Sequence, residues 1–105
     1  MNINLINRTL LKVSGKDAEE FLQNQLTNDI SKLDNSNVQL NAYCQHQGKI
    51  IALFWVMRSD ECFLLSFPTD LAEKVIARLQ MFVIMSDVII EDISEKMIQI
   101  LRLSN

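Results

Sequence analysis

Few side chains in this sequence can do chemistry, and their spacing limits what that chemistry is. His46 is the only histidine, and Cys44 and Cys62 stand eighteen positions apart without a CxxC pair. That is too small a ligand set for a self-contained zinc site, so no metal is expected. A disulfide between the two cysteines is one reading. The expected one is two reduced thiols packed in separate strands, as in a cytosolic protein. Asn28-Asp29 forms a polar pair after a helical run, which is an ordinary stop signal and also a place where a binding turn can sit. Gln47-Gly48-Lys49 has the glycine that a tight hairpin needs for positive φ, followed by a cation at the tip. Phe54 and Trp55 are neighbours in a strand and so face opposite sides. One belongs to a core, and the other is free to line a pocket or an interface.

The elements that position these residues follow from periodicity. Arg8 to Val13 reads as a first strand, closed by a Ser14-Gly15 turn. From Lys16 the spacing becomes helical through Ala18, Phe21, Leu22, Gln25 and Leu26, with acidic residues in the first turn and Ser14 and Asp17 spaced as a capping box. Ile30 and Leu33 suggest a short further turn of helix. In Asn37 to Cys44 the pattern alternates, which predicts Val38, Leu40, Ala42 and Cys44 on a buried face and Asn37, Gln39, Asn41 and Tyr43 on a polar one. Lys49 to Met57 is apolar on both faces, as in a central strand covered on each side. Glu61 to Phe67 completes a three-strand meander.

Pro68 opens a second helix, with Ser66 or Thr69 as its cap. Leu71, Val75, Ile76, Leu79 and Phe82 form its apolar stripe. Asp87 to Glu91 and Met97 to Leu103 are strand candidates. The order predicts an α+β fold, an antiparallel sheet with two helices packed on one face, in a single domain over residues 1–105. Such a layout leaves the other face of the meander, with part of Ile51, Leu53 and Trp55, uncovered. That predicts a partner, either further domains or a second copy in a homo-oligomer.

Composition narrows the function classes. Hydrophobic residues make up 49% and charged residues 22% of the 105, which excludes a disordered chain. A net charge of −3 and a pI near 5.0, with the ten basic residues scattered, argue against direct nucleic-acid binding. The longest apolar run, Ile50 to Met57, is far below the roughly 20 residues that cross a bilayer, and no signal peptide is apparent. A cytoplasmic protein without membrane contact is expected.

The stretch from Val13 to Ile30 closely resembles the opening signature of the YgfZ and glycine-cleavage T-protein superfamily. That signature runs as a strand, a Gly-x-Asp turn (Gly15-Lys16-Asp17), a helix carrying Phe-Leu-Gln (Phe21-Leu22-Gln23), then Thr-x-Asp (Thr27-Asn28-Asp29). Ala42 to Lys49 is similar to the family's hairpin with Gly-Lys or Gly-Arg at its tip, and a weaker likeness continues to Leu103. The resemblance implies the folate-binding domain of the T-protein, YgfZ and TrmE type, here its amino-terminal part. Members have three domains around a central hole that holds tetrahydrofolate, with binding by one domain alone weak or absent. The Asn28-Asp29 turn would border that cavity, Lys49 would meet polyglutamate carboxylates, and Trp55 would line a pteridine-sized pocket.

In the T-protein a pair of acidic residues follows the hairpin glycine, and one of them acts on the folate amine. This chain has Ala52 and Leu53 there, so the resemblance implies no catalytic residue and no proton-handling group. The YgfZ branch lacks the same carboxylate, carries a cysteine like Cys44, and supports iron-sulfur enzymes, including one that modifies tRNA. Its Lys-Gly-Cys-x-x-Gly-Gln-Glu motif lies further along the family's chain, and neither cysteine here stands in that context. The expected role is a non-catalytic, folate-binding accessory protein with an iron-sulfur client enzyme. The alternatives are an aminomethyltransferase of the glycine cleavage system and an association module that no longer binds folate, since the related domain of a tRNA-modifying GTPase dimerises.

Overall fold

The computed structural model describes residues 7–45 and 48–96. Within them lie strand β1 (Arg8–Ser14), helix α1 (Ala18–Gln25), a 3-10 turn (Ile30–Lys32) and strands β2 (Val38–Cys44), β3 (Ile50–Ser59) and β4 (Cys62–Pro68). A second 3-10 turn (Thr69–Leu71) leads into helix α2 (Ala72–Phe82), and strand β5 (Ile89–Asp92) follows. The expected strand from Met97 to Leu103, and His46 and Gln47, lie outside the described residues.

The strands make one antiparallel sheet in the order β2-β3-β4-β1-β5. The α+β architecture and the β2-β3-β4 meander are those read from the sequence. Both helices pack on one face. Phe21 and Leu22 of α1 and Val75 and Leu79 of α2 meet Leu11, Val13, Phe54, Val56, Phe63, Leu65 and Phe67 in one core cluster. The period-2 alternation of β4 is complete, with Phe63, Leu65 and Phe67 buried and the residues between them half-exposed.

Two helix starts differ from expectation, and at each an expected cap-region side chain has another partner. Asp17 occupies the N-cap of α1 without capping it. Its Oδ2 accepts from the Asp87 N–H at 2.8 Å, while its own N–H donates to the Asp87 carbonyl at 3.1 Å. This two-bond clasp joins the β1–α1 turn to the segment before β5 in place of a capping box. At α2, Thr69 Oγ1 accepts from Thr9 Oγ1 and Ser66 Oγ accepts from Arg8, so neither caps the helix, which begins after Leu71.

The faces of β2 are reversed relative to the sequence reading. Asn41 and Tyr43 are buried under the helices, while Val38 and Leu40 are 56% and 42% exposed. Asn41 tolerates this because its side chain is satisfied: Oδ1 accepts the Asn28 N–H at 2.8 Å and Nδ2 donates to Gln39 Oε1 at 2.9 Å. Nor is β3 covered on both sides. Phe54 is fully buried, but Leu53 and Trp55 are about half exposed, so its apolar outer face stays open.

Candidate functional site

The open face is assembled by strand register. Trp55 sits between Leu40 on β2 and Ser66 on β4, Leu53 pairs with Ala42, and Val38 pairs with Met57. Residues paired across antiparallel strands share a face, so Val38, Leu40, Leu53 and Trp55 form one apolar patch on the side away from the helices. By the same register Arg8 and Lys12 of β1 lie on this side of the sheet. Arg8 donates from Nε and a terminal nitrogen to Ser66 Oγ at 3.2 and 3.1 Å, which holds the guanidinium beside the strand position next to Trp55. Arg8 did not stand out in the sequence, because its place depends on β1 pairing with β4, a contact of high sequence separation.

The free edge of β2 is covered by the segment after α1. Leu26 bridges Tyr43, Thr27 Oγ1 accepts the Ala42 N–H at 3.0 Å, the Asn28 side chain donates to the Leu40 carbonyl, and Gln39 Nε2 donates to the Asp29 carbonyl at 3.0 Å. Gln23 fastens the same segment from the helix side, donating to the Asn28 carbonyl at 2.9 Å and accepting the Ile30 N–H at 2.8 Å. These bonds satisfy backbone groups that an edge strand would otherwise present.

Of the expected site residues, Asn28 and Asp29 therefore lie together at the β2 edge, beside Leu40 and one strand from Trp55. Asp29 also caps the following 3-10 turn. Its carboxylate accepts from the Ser31 hydroxyl at 2.6 Å and the Ser31 N–H at 3.1 Å, which holds its pKa below the ordinary 3.8 and keeps it ionised. Lys49 is set apart. It stands six residues before Trp55 on the same hairpin arm, roughly 20 Å away at about 3.3 Å per residue. Gly48 beside it has φ +79, as the tight turn required.

The two positions after the hairpin glycine diverge. Ala52 is buried on the helix side at 3% exposure, whereas Leu53 is 50% exposed on the open face two residues from Trp55. Only the second could present a carboxylate to a molecule on that face. Cys44 and Cys62 are free thiols, half-buried at opposite ends of the sheet, rather than packed within it. Among the described residues no group of three His, Cys, Asp or Glu side chains could hold a metal ion, and no helix is long and apolar enough to cross a membrane.

Residues 6–101 match the GCVT N-terminal domain family. The chain belongs to that family. It is similar to the tRNA-modifying protein YgfZ of Colwellia psychrerythraea, at 30% identity over 87 residues covering 83% of this chain and 26% of that protein. It is also similar to an aminomethyltransferase of Exiguobacterium sibiricum, at 40% identity over 86 residues covering 81% of this chain and 24% of the relative. The crystal structure of the glycine cleavage system aminomethyltransferase T from Bartonella henselae superimposes with a TM-score of 0.77 at 19% identity, over 83% of this chain and 24% of that one. The fold is thus shared with the Bartonella protein, and this chain spans about a quarter of the length of each of the three relatives.

Proposed function

We propose that this chain is the folate-seating part of a non-catalytic accessory protein of the YgfZ kind, serving an iron-sulfur enzyme and tRNA modification. The observation that carries the reading is the open sheet face. It offers a half-exposed indole at Trp55 with apolar neighbours for a flat pteridine, and Arg8 at its rim for a carboxylate. Asn28 and Asp29 flank this surface from the β2 edge. Lys49, set apart from Trp55 along the hairpin arm, would serve a long, extended polyglutamate tail rather than the ring.

Leu53 argues for an accessory rather than a catalyst. A carboxylate at this position would face the ligand, and leucine can neither accept nor donate a proton. An aminomethyltransferase reading would have to find that group elsewhere. The patch also suits a third reading, association through the same face, because four exposed large apolar residues invite cover.

Tetrahydrofolate titration separates the readings, with Trp55 as the reporter because it is the only tryptophan. Weak but saturable quenching in the millimolar range is expected of this chain, with no methylene-tetrahydrofolate formed from an aminomethylated carrier protein. No response at millimolar ligand, together with a dimer in sedimentation, would replace folate binding by association. Methylene transfer would revive the enzyme.

A further inference from the structure

On the helix side of the sheet, away from the proposed folate surface, lies a small cleft between the end of α1, the middle of α2 and the end of β2. It encloses about 210 Å³ and is lined by Asn24, Gln25, Tyr43, Gln45, Arg78 and Phe82, among others. This is below the ~300–1,000 Å³ of sites for drug-sized ligands, so an occupant would be small.

Two polar groups in this cleft are enclosed and unsatisfied. Tyr43 is 1% exposed, and its Oη has no hydrogen-bond partner among the described residues; the same holds for Arg78 Nε. Burial raises the Tyr43 pKa above the ordinary 10.0 and keeps the phenol neutral. Arg78 pulls the other way, by its charge and by a side-chain hydrogen-bonding approach to the phenol, but the geometry of that approach leaves both Tyr43 Oη and Arg78 Nε without a well-formed partner. No acidic residue lines the cleft, and Arg78 takes no part in an ion pair among the described residues. Its guanidinium carbon also stands 5.8 Å from the centroid of the Phe82 ring.

An enclosed donor left without an acceptor costs about 1–3 kcal/mol, and more when it is charged. Arg78 can only donate, and Tyr43 Oη can donate beside it, so the occupant they lack is an acceptor. A carboxylate fits better than a tetrahedral oxyanion, because its two oxygens match a planar fork and a single hydroxyl, and its carbon stub can lie against Phe82.

We propose that this cleft is a binding site for a small carboxylate, held by Arg78 and the Tyr43 hydroxyl, with the side-chain amides of Asn24, Gln25 and Gln45 around it. The site is independent of the folate reading, since it lies on the opposite face of the sheet from Trp55.

Tyr43 is the only tyrosine, so its ring resonances report on the cleft without ambiguity. Acetate and L-glutamate are titrated against chloride and inorganic phosphate at matched ionic strength. The expected result is a saturable shift of the Tyr43 ring signals with both carboxylates and none with chloride. Arg78→Gln should weaken it about tenfold or more, as loss of a charged hydrogen bond predicts, and Arg78→Lys should restore part of it. Tyr43→Phe, which keeps the ring packing, should weaken binding several-fold when followed through Phe82. The proposal is overturned by the absence of a saturable shift, which would mean that a bridging water fills the cleft. An equal shift in Arg78→Gln, or a stronger one with phosphate than with either carboxylate, would overturn it as well.

Discussion

Gly15→Ala should be among the most damaging single-methyl changes in the chain, and Gly48→Ala is its internal control. Both glycines have positive φ, +112 and +79, so each alanine carries a conformational penalty of about 1–2 kcal/mol. They differ in surroundings. A Cβ on Gly48 meets nothing within 4 Å, whereas one on Gly15 would stand 2.2 Å from the Asp87 carbonyl oxygen and 2.9 Å from its carbon. Relief requires the segment before β5 to move away, which breaks the Asp17–Asp87 clasp. Its two hydrogen bonds contribute about 0.5–1.5 kcal/mol each, and overpacking adds about 1–3 kcal/mol. The sum is about 3–8 kcal/mol for Gly15→Ala against about 1–2 for Gly48→Ala. A domain of this size holds about 5–15 kcal/mol in all. Urea unfolding reads the difference directly through the midpoint, and near ~4–8 °C per kcal/mol it should separate the melting temperatures by about 10 °C or more. Equal losses in the two variants would show that the close approach at Asp87 does not hold in solution, and with it the attachment of β5 to the turn.

Other expectations follow from the same geometry. Trp55→Ala should cost about 1–3 kcal/mol, less than loss of a fully buried aromatic because the side chain is half exposed, and should weaken tetrahydrofolate binding about tenfold by calorimetry if the indole stacks on the ring. Asn41→Leu should cost about 1–3 kcal/mol by orphaning the Asn28 N–H, and should speed hydrogen exchange at that amide. The Tyr43 phenol is held neutral by burial, so its pKa is higher folded than unfolded. It is without effect on stability below about pH 10, and stability should fall as pH rises above that value, where only the unfolded phenol ionises readily. Tyr43→Phe should flatten this alkaline decline in a series of melts across pH.

The element order was legible because each stretch has a clear period: Phe63, Leu65 and Phe67 alternate, and Phe21, Leu22, Val75 and Leu79 fall on helical faces. The faces of β2 were not. Alternation fixes which residues share a side, but it does not say which side the helices take. Val38 and Leu40 are more hydrophobic than Gln39 and Asn41, and the rule that hydrophobic residues turn inward chose wrongly. The inward face is instead held by Tyr43 packed on Phe54 and by the hydrogen bonds of Asn41, whose partners Asn28 and Gln39 are too common as residue types to signal a buried role. Caps failed for a similar reason. Asp17, read as the far residue of a box capped by Ser14, and the candidate caps Ser66 and Thr69 are ordinary residues for such positions, and their partners Asp87, Arg8 and Thr9 lie 58–70 positions away. Arg8 and the Tyr43–Arg78 cleft were illegible for want of any local pattern.

The opening signature has a mechanical meaning that bears on the open face. Gly15 allows the chain to turn closely past Asp87, Phe21 and Leu22 anchor α1 in the core, and Gln23 reaches from α1 to hold the segment at Asn28 to Ile30. Thr27 and Asn28 then fasten that segment along β2. Every part of this latch draws α1 and its trailing loop onto one side and one edge of the sheet. The result closes the β2 edge to strand addition while leaving Leu40, Leu53 and Trp55 uncovered. With its edge held by these bonds and its apolar face bare, the sheet offers that face to contact by side chains rather than by backbone pairing, in keeping with the proposed function. Ligand or partner specificity at that surface should therefore follow substitutions at Leu53, Trp55 and Arg8 and be insensitive to conservative changes in the latch that preserve the fold.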